Sequence, residues 1–130
     1  MATSTAKKKA APAITIPPLK KGELYVGAII NPDGTGHHVI LLPGDGDKLT
    51  HPAALEWAKK QGGDLPDRVE QAMLWKHLKS KFKKVIYWSS EPYAGDDAYA
   101  WCQGFYGGTQ GTWHKDDEFR ARAVRRIVIE

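Results

Sequence analysis

Strand-like alternation occupies both flanks of this sequence, and helix-like spacing is confined to the stretch between them. From Glu23 to Ile30, the residues Leu24, Val26, Ala28 and Ile30 fall on one side, as in a half-buried strand. Asn31-Pro32-Asp33-Gly34 has turn chemistry, with proline fixing one backbone angle and glycine free to take the left-handed region. His38–Leu42 then resumes the strand, completing a hairpin. Pro43-Gly44-Asp45-Gly46-Asp47 reads as a loop.

A first helix is expected from Pro52 to Gln61, since proline suits an opening turn and Gly62-Gly63 makes a natural stop. The second begins after Leu65-Pro66, with Asp67 as N-cap and Glu70 completing a capping box. Val69, Ala72 and Met73 lie on one side of it, and Leu74, Trp75, Leu78 and Phe82 largely on the other. A helix apolar around so much of its girth is expected between layers. Lys76, Lys79, Lys81, Lys83 and Lys84 finish it and read as a solvated helix end rather than a nucleic-acid patch.

Val85–Ser89, Ala98–Phe105 and Thr109–His114 read as strands, the last two joined across Gly107-Gly108. Phe119–Ile129 closes the chain as a further strand, with Phe119, Ala121, Ala123, Ile127 and Ile129 on one face and Arg120, Arg122 and Arg126 on the other. A hairpin, two helices and a C-terminal β-meander, in that order, indicate an α+β fold. An antiparallel sheet with two flanking helices is expected, the first and last strands pairing.

Its 130 residues suit one compact domain, and 42% hydrophobic with 26% charged side chains disfavours disorder or a coiled coil. Charge is unevenly placed. Residues 1–21 hold five lysines and no acid, whereas the remainder holds 14 basic and 15 acidic side chains. Residues 1–21 therefore read as a flexible basic arm and 22–130 as the domain, whose near neutrality disfavours nucleic-acid binding. The arm is either a solubilising leader or a tether, and Ile14 and Ile16 could add a strand to a neighbouring subunit. No stretch is long enough for a membrane helix, and no apolar segment follows the N-terminal lysines as a secretory signal would require.

Chemistry-bearing motifs are sparse. His37 and His38 point to opposite faces of a strand and cannot readily share a metal ion. Asp45-Gly46-Asp47 lacks the further oxygen ligands of a calcium loop. Asp96-Asp97 and Asp116-Asp117-Glu118 read as solvated loop acids. The single cysteine, Cys102, excludes an internal disulfide, and His114 is its one plausible activating partner. No catalytic residue, metal site or cofactor is assigned, so a binding protein rather than an enzyme is expected. What stands out is aromatic and polar density late in the chain. Tyr99 and Trp101 are assigned to the core, while Tyr93, Tyr106, Gln110, Trp113, His114 and Lys115 are the candidate ligand-binding surface.

Four segments carry a family resemblance: Asp64-Leu65-Pro66-Asp67-Arg68, Tyr87-Trp88-Ser89-Ser90, Tyr99-Ala100-Trp101 and the run Arg120–Arg126. With Tyr25-Val26-Gly27 they span roughly residues 23–128, and in that order they resemble the DUF1566 family. That family belongs to the C-type-lectin-like and formylglycine-generating-enzyme-like folds. Asp67 stands where the family has Ser or Thr, which keeps an N-cap. The resemblance implies one sheet, built from the hairpin and the final strands, flanked by two helices. It also implies a phage or prophage protein, with a receptor-binding surface in residues 99–126. The oxidase branch relies on two cysteines, and the sugar-binding lectins on Glu-Pro-Asn and Trp-Asn-Asp motifs. This chain has Cys102 alone and Glu91-Pro92-Tyr93, so neither activity is carried over.

The expected function is a non-enzymatic phage or prophage module that binds a protein or cell-surface ligand, in the virion or the host cytoplasm. The alternatives are a virion structural or decoration protein, anchored to other subunits or in a homo-oligomer by its N-terminal arm, and an intracellular inhibitor of a host defence complex.

Overall fold

The computed structural model describes residues 14–130. Lys7, Lys8 and Lys9 of the arm lie outside the described residues; its described part, 14–21, carries no strand. The order is β1 (Leu24–Ile30), β2 (Gly36–Leu41), β3 (Gly46–Leu49), α1 (His51–Lys60), α2 (Arg68–Leu78), β4 (Ile86–Pro92), β5 (Tyr99–Gly104), β6 (Gln110–His114), β7 (Phe119–Ala121) and β8 (Val124–Ile129). A short 3-10 turn, Lys79–Lys81, follows α2. The fold is mixed α+β, with two helices and two sheets of mostly antiparallel strands.

Both helix starts follow from the sequence. Thr50 caps α1 by accepting from the Ala53 amide, and Pro52 sits in the opening turn where its missing N–H costs nothing. Asp67 accepts from the Glu70 amide at 2.8 Å, and Glu70 accepts from the Asp67 amide at 2.9 Å, closing the capping box. As expected, α2 packs between layers, against β1 as well as β4 and β5, but part of its girth stays open. Val69 is exposed, the buried residues are Glu70, Gln71 and Leu74, and Phe82 lies beyond the helix.

Two sheets form in place of one. The first has the order β1-β2-β8 and the second β3-β7-β4-β5-β6. The last strand pairs with β2 rather than β1. The reason lies in β2: Val39, Ile40 and Leu41 are all buried, and a continuous apolar run belongs between neighbours on both sides. β3 occupies part of the expected loop at 43–47. Its Gly and Asp give a turn-like local signal, but pairing of Gly46 with Ala121 and Leu49 with Phe119 makes it a strand.

The expected single strand from Phe119 to Ile129 is broken in two. Ala121, Ala123 and Val124 are all fully buried, which alternation along one strand does not allow. The chain instead switches sheets at Arg122-Ala123: β7 runs beside β3 and parallel to β4, while β8 joins β2. The Ala123 carbonyl accepts from the Leu42 amide at the corner, and Val124 and Asp64 exchange two backbone bonds.

At β4 the second sheet is buried on both faces. Trp88, Ala100 and Cys102 pack with Ala54 and Ala58 of α1, whereas Tyr87 and Phe105 pack with Leu74 of α2 and with Val39 and Leu41. Tyr87 and Trp88 are consecutive, so β4 feeds both clusters. At about 25 cal/mol per Å², burying an aromatic ring of roughly 200 Å² contributes ~5 kcal/mol before entropy is charged. The indole N–H of Trp88 is satisfied by the Leu49 carbonyl at 2.7 Å.

Candidate functional site

β5 and β6 place side chains alternately on two faces, and the register fixes which residues meet. Tyr99 lies opposite His114, Trp101 opposite Thr112, and Gln103 opposite Gln110. These six share one face. Ala100 and Cys102 point the other way into the core, so the assignment of Tyr99 and Trp101 to the core is reversed: both are only half-buried. The parity was right, but the inward face belongs to the smaller residues, because α1 leaves room there only for Ala and Cys beside Trp88.

At the inner end of that face α2 begins, and its first residue turns back over the sheet. The Arg68 guanidinium lies 3.5 Å from the centroid of the Trp101 ring. Its Nε donates to Gln110 Oε1 at 2.9 Å, and Gln110 Nε2 donates to the Arg68 carbonyl at 2.8 Å and to Gln103 Oε1 at 3.1 Å. Gln103, fully buried, donates in turn to backbone carbonyls of Gly104 and Thr109. The Arg68 amide donates to Glu91 at 2.7 Å. Cation, indole and amide therefore hold one another in place. Beside them opens a cleft of about 500 Å³ lined by Arg68, Val69, Trp75, Glu91, Gln103 and Gln110, among others.

The six candidate residues divide. Tyr93 stands edge-on to Trp101 at 5.8 Å, Gln110 is at the centre of the arginine clasp, and His114 packs edge-on to Tyr99 at 5.4 Å. These three extend one surface. Trp113 lies in β6, within the expected strand, but faces the opposite way, 5.5 Å from Phe119. Tyr106 lines a separate cleft with Phe119 and Val85. Lys115 joins the structure through its backbone, bonded to Ala98 and His51.

Arg68, Trp101, Trp75 and Val69 were absent from the sequence-derived set. Arg68 and Val69 sit inside the capping motif, which reads as a helix start, and nothing local announces that an opening arginine folds back onto a strand. An apolar residue at the second helical position, exposed here, is the one signal available.

Cys102 and His114 are not brought together. Cys102 is buried, its thiol is pushed well above the ordinary range by burial and by the charge of Asp117, and its proposed partner His114 lies on the opposite face. The His114 ring instead accepts from the Asp116 amide. Among the described residues no group of three or more His, Cys, Asp or Glu is placed to hold a metal ion, and no helix is long and apolar enough to cross a membrane.

The five arginines sort the surface. Arg120 holds Asp45 and Asp47, Arg125 holds Glu23, and Arg126 holds Glu70 and Asp64. Arg68 and Arg122 have no carboxylate partner among the described residues, and each lines a cleft. No protein-family model matches this chain, and no curated protein matches it.

Proposed function

We propose that this chain is a non-enzymatic phage or prophage binding module of C-type-lectin-like, DUF1566 type, acting in the virion or host cytoplasm. Its recognition surface is the β5–β6 face with the start of α2, and its ligand is a protein or cell-surface molecule. The observation that carries this reading is the Arg68–Trp101 stack, held from two sides by Gln110. An arginine immobilised on an indole has already lost its rotamer freedom, so docking against it costs less entropy. Its Nη groups meet no acceptor among the described residues, which leaves them for a carboxylate or carbonyl of the partner. Tyr93 and Tyr99 add rigid aromatic area, and Thr112 and His114 adaptable hydrogen bonds.

The test is affinity capture from host lysate followed by titration of the captured component against purified variants. Replacing Arg68 and Trp101 by Ala should weaken its binding at least tenfold, with Tyr106→Ala, off this face, near wild type. Undiminished binding by the double variant overturns the surface; turnover of the captured component overturns the non-enzymatic reading.

A further inference from the structure

A second cleft, of about 430 Å³, opens where the chain switches sheets, and it shares no lining residue with the Arg68 cleft. Its walls include Arg122, Lys81, Lys83, Ser80, Gly44 and Asp45. Arg122 enters through the corner between β7 and β8. Its Nη1 donates to the Lys81 carbonyl and its Nη2 to the Leu42 carbonyl, both at 2.8 Å. The guanidinium also lies 5.2 Å from the Phe82 ring centroid. Two neutral carbonyls and a ring face fix its position without neutralising it. Nε is buried and has no hydrogen-bond partner among the described residues.

The charge around it is not balanced locally. Asp45 is the one acid on the cleft wall, and both its oxygens are engaged: Oδ1 accepts from Arg120 at 2.8 Å and Oδ2 from the Tyr87 hydroxyl at 2.6 Å. Arg120 is shared between Asp45 and Asp47, so these three groups carry one net negative charge, against the three positive charges of Arg122, Lys81 and Lys83. The two lysines are exposed at the rim and the arginine is fixed deeper. A partly desolvated cation without a counter-ion is costly, and a bound anion relieves that cost. Burial pushes the Arg122 pKa down, and the charge of nearby Asp45 offsets this only in part.

We infer that this cleft is an oxyanion site, taking the phosphoryl group of a small phosphorylated ligand between Arg122 and the lysine pair. Arg122, its Nη groups already holding two carbonyls and its Nε enclosed, would supply a fixed positive charge, Lys81 and Lys83 mobile donors and charge at the rim, and the Ser80 hydroxyl a further donor. This site is independent of the Arg68–Trp101 face and stands or falls without it.

Titration of the full chain with inorganic phosphate, followed by amide and arginine Nε NMR signals at about 0.1 M salt, tests it. Expected are saturable shifts at Arg122 and at Lys81–Lys83, with sulfate reproducing them more weakly. Lys81→Ala with Lys83→Ala, which alters exposed side chains only, should raise the phosphate Kd at least tenfold. Arg122→Lys should do the same, but it also loses carbonyl contacts, so the lysine pair is the deciding variant. Lys76→Ala with Lys79→Ala, at the same helix end but off the cleft, should leave phosphate binding unchanged. Absence of saturable shifts overturns the site. So does equal weakening by the Lys76 and Lys79 pair, or binding confined to a long polyanion such as duplex DNA at low salt, since either would reveal general surface charge.

Discussion

Arg126 of β8 holds both carboxylate oxygens of Glu70 at 2.6 Å, and Glu70 lies fully buried in the first turn of α2. His37 reaches the same carboxylate from β2 at 3.1 Å. One side chain thus joins a helix start to two strands of the first sheet. Removing one partner of a buried pair leaves the other uncompensated. Glu70→Gln should therefore cost about 2 kcal/mol, at the low side because Arg126 is partly open to solvent. Chemical denaturation at pH 7 measures it.

Acid should loosen the molecule through the same kind of contact. Hydrogen bonds from Arg125 hold the Glu23 carboxyl down at about 2. Burial works to raise the Glu70 carboxyl, but bonds from Arg126 and the Asp67 amide outweigh it and leave it lowered. Both groups release protons more readily folded than unfolded. Their stabilisation is complete above the ordinary glutamate range near ~4.3 and is lost as pH falls from there toward 2. Denaturation midpoints across pH 2 to 6 should show that slope, and Glu23→Gln should flatten it.

Gly62 and Gly63 end α1 together, yet substitution should separate them. A Cβ on Gly63 would run into the Val124 carbonyl oxygen, part of the bridge between Asp64 and β8. Gly62 has open space around it and a backbone φ of +94°. Gly63→Ala should cost about 2–3 kcal/mol, as overpacking does, and Gly62→Ala only about 1 kcal/mol of backbone strain. Thermal unfolding of the two variants distinguishes them.

Much of this was legible in the sequence, and the failures have a pattern. The capping box at Asp67 and Glu70, the hairpin and the pairing of β5 with β6 depend on neighbours in sequence, and they formed as expected. The errors lie where distant partners decide. β3 is a strand because β7 lies beside it, β2 is central because its apolar run is continuous, and the last strand breaks because Ala123 and Val124 are both buried. Alternation identified the two faces of β5 but not which would be covered. That depends on the small residues of α1, thirty or more positions away in the chain. Tyr93, Gln110 and His114 found the outer face, while Arg68 could be placed only by the geometry.

Cys102 should resist modification in the folded protein. It is enclosed by Trp88, Ala100 and Ala121, so a thiol reagent reaches it only when the core opens. Labelling should be at least ~1000-fold slower in native buffer than in denaturant, given opening free energies of several kcal/mol. Rapid native labelling would contradict the packing described.

Gln110 should govern the order of Arg68. In Gln110→Leu the Nε–H loses its acceptor and the Arg68 carbonyl its donor, which should broaden or shift the Arg68 Nε resonance. The cost to global stability should be about 1–3 kcal/mol, because Oε1 of buried Gln103 loses its donor as well.

The corner at Arg122-Ala123 also sets a schedule for synthesis. β2 awaits β8 and β3 awaits β7, so both sheets stay unlatched until residues 119–129 have left the ribosome. Until then the nascent chain carries the apolar stretch Val39-Ile40-Leu41 with one flank uncovered, a vulnerability to chaperones and proteases that ends only with the final residues of this segment.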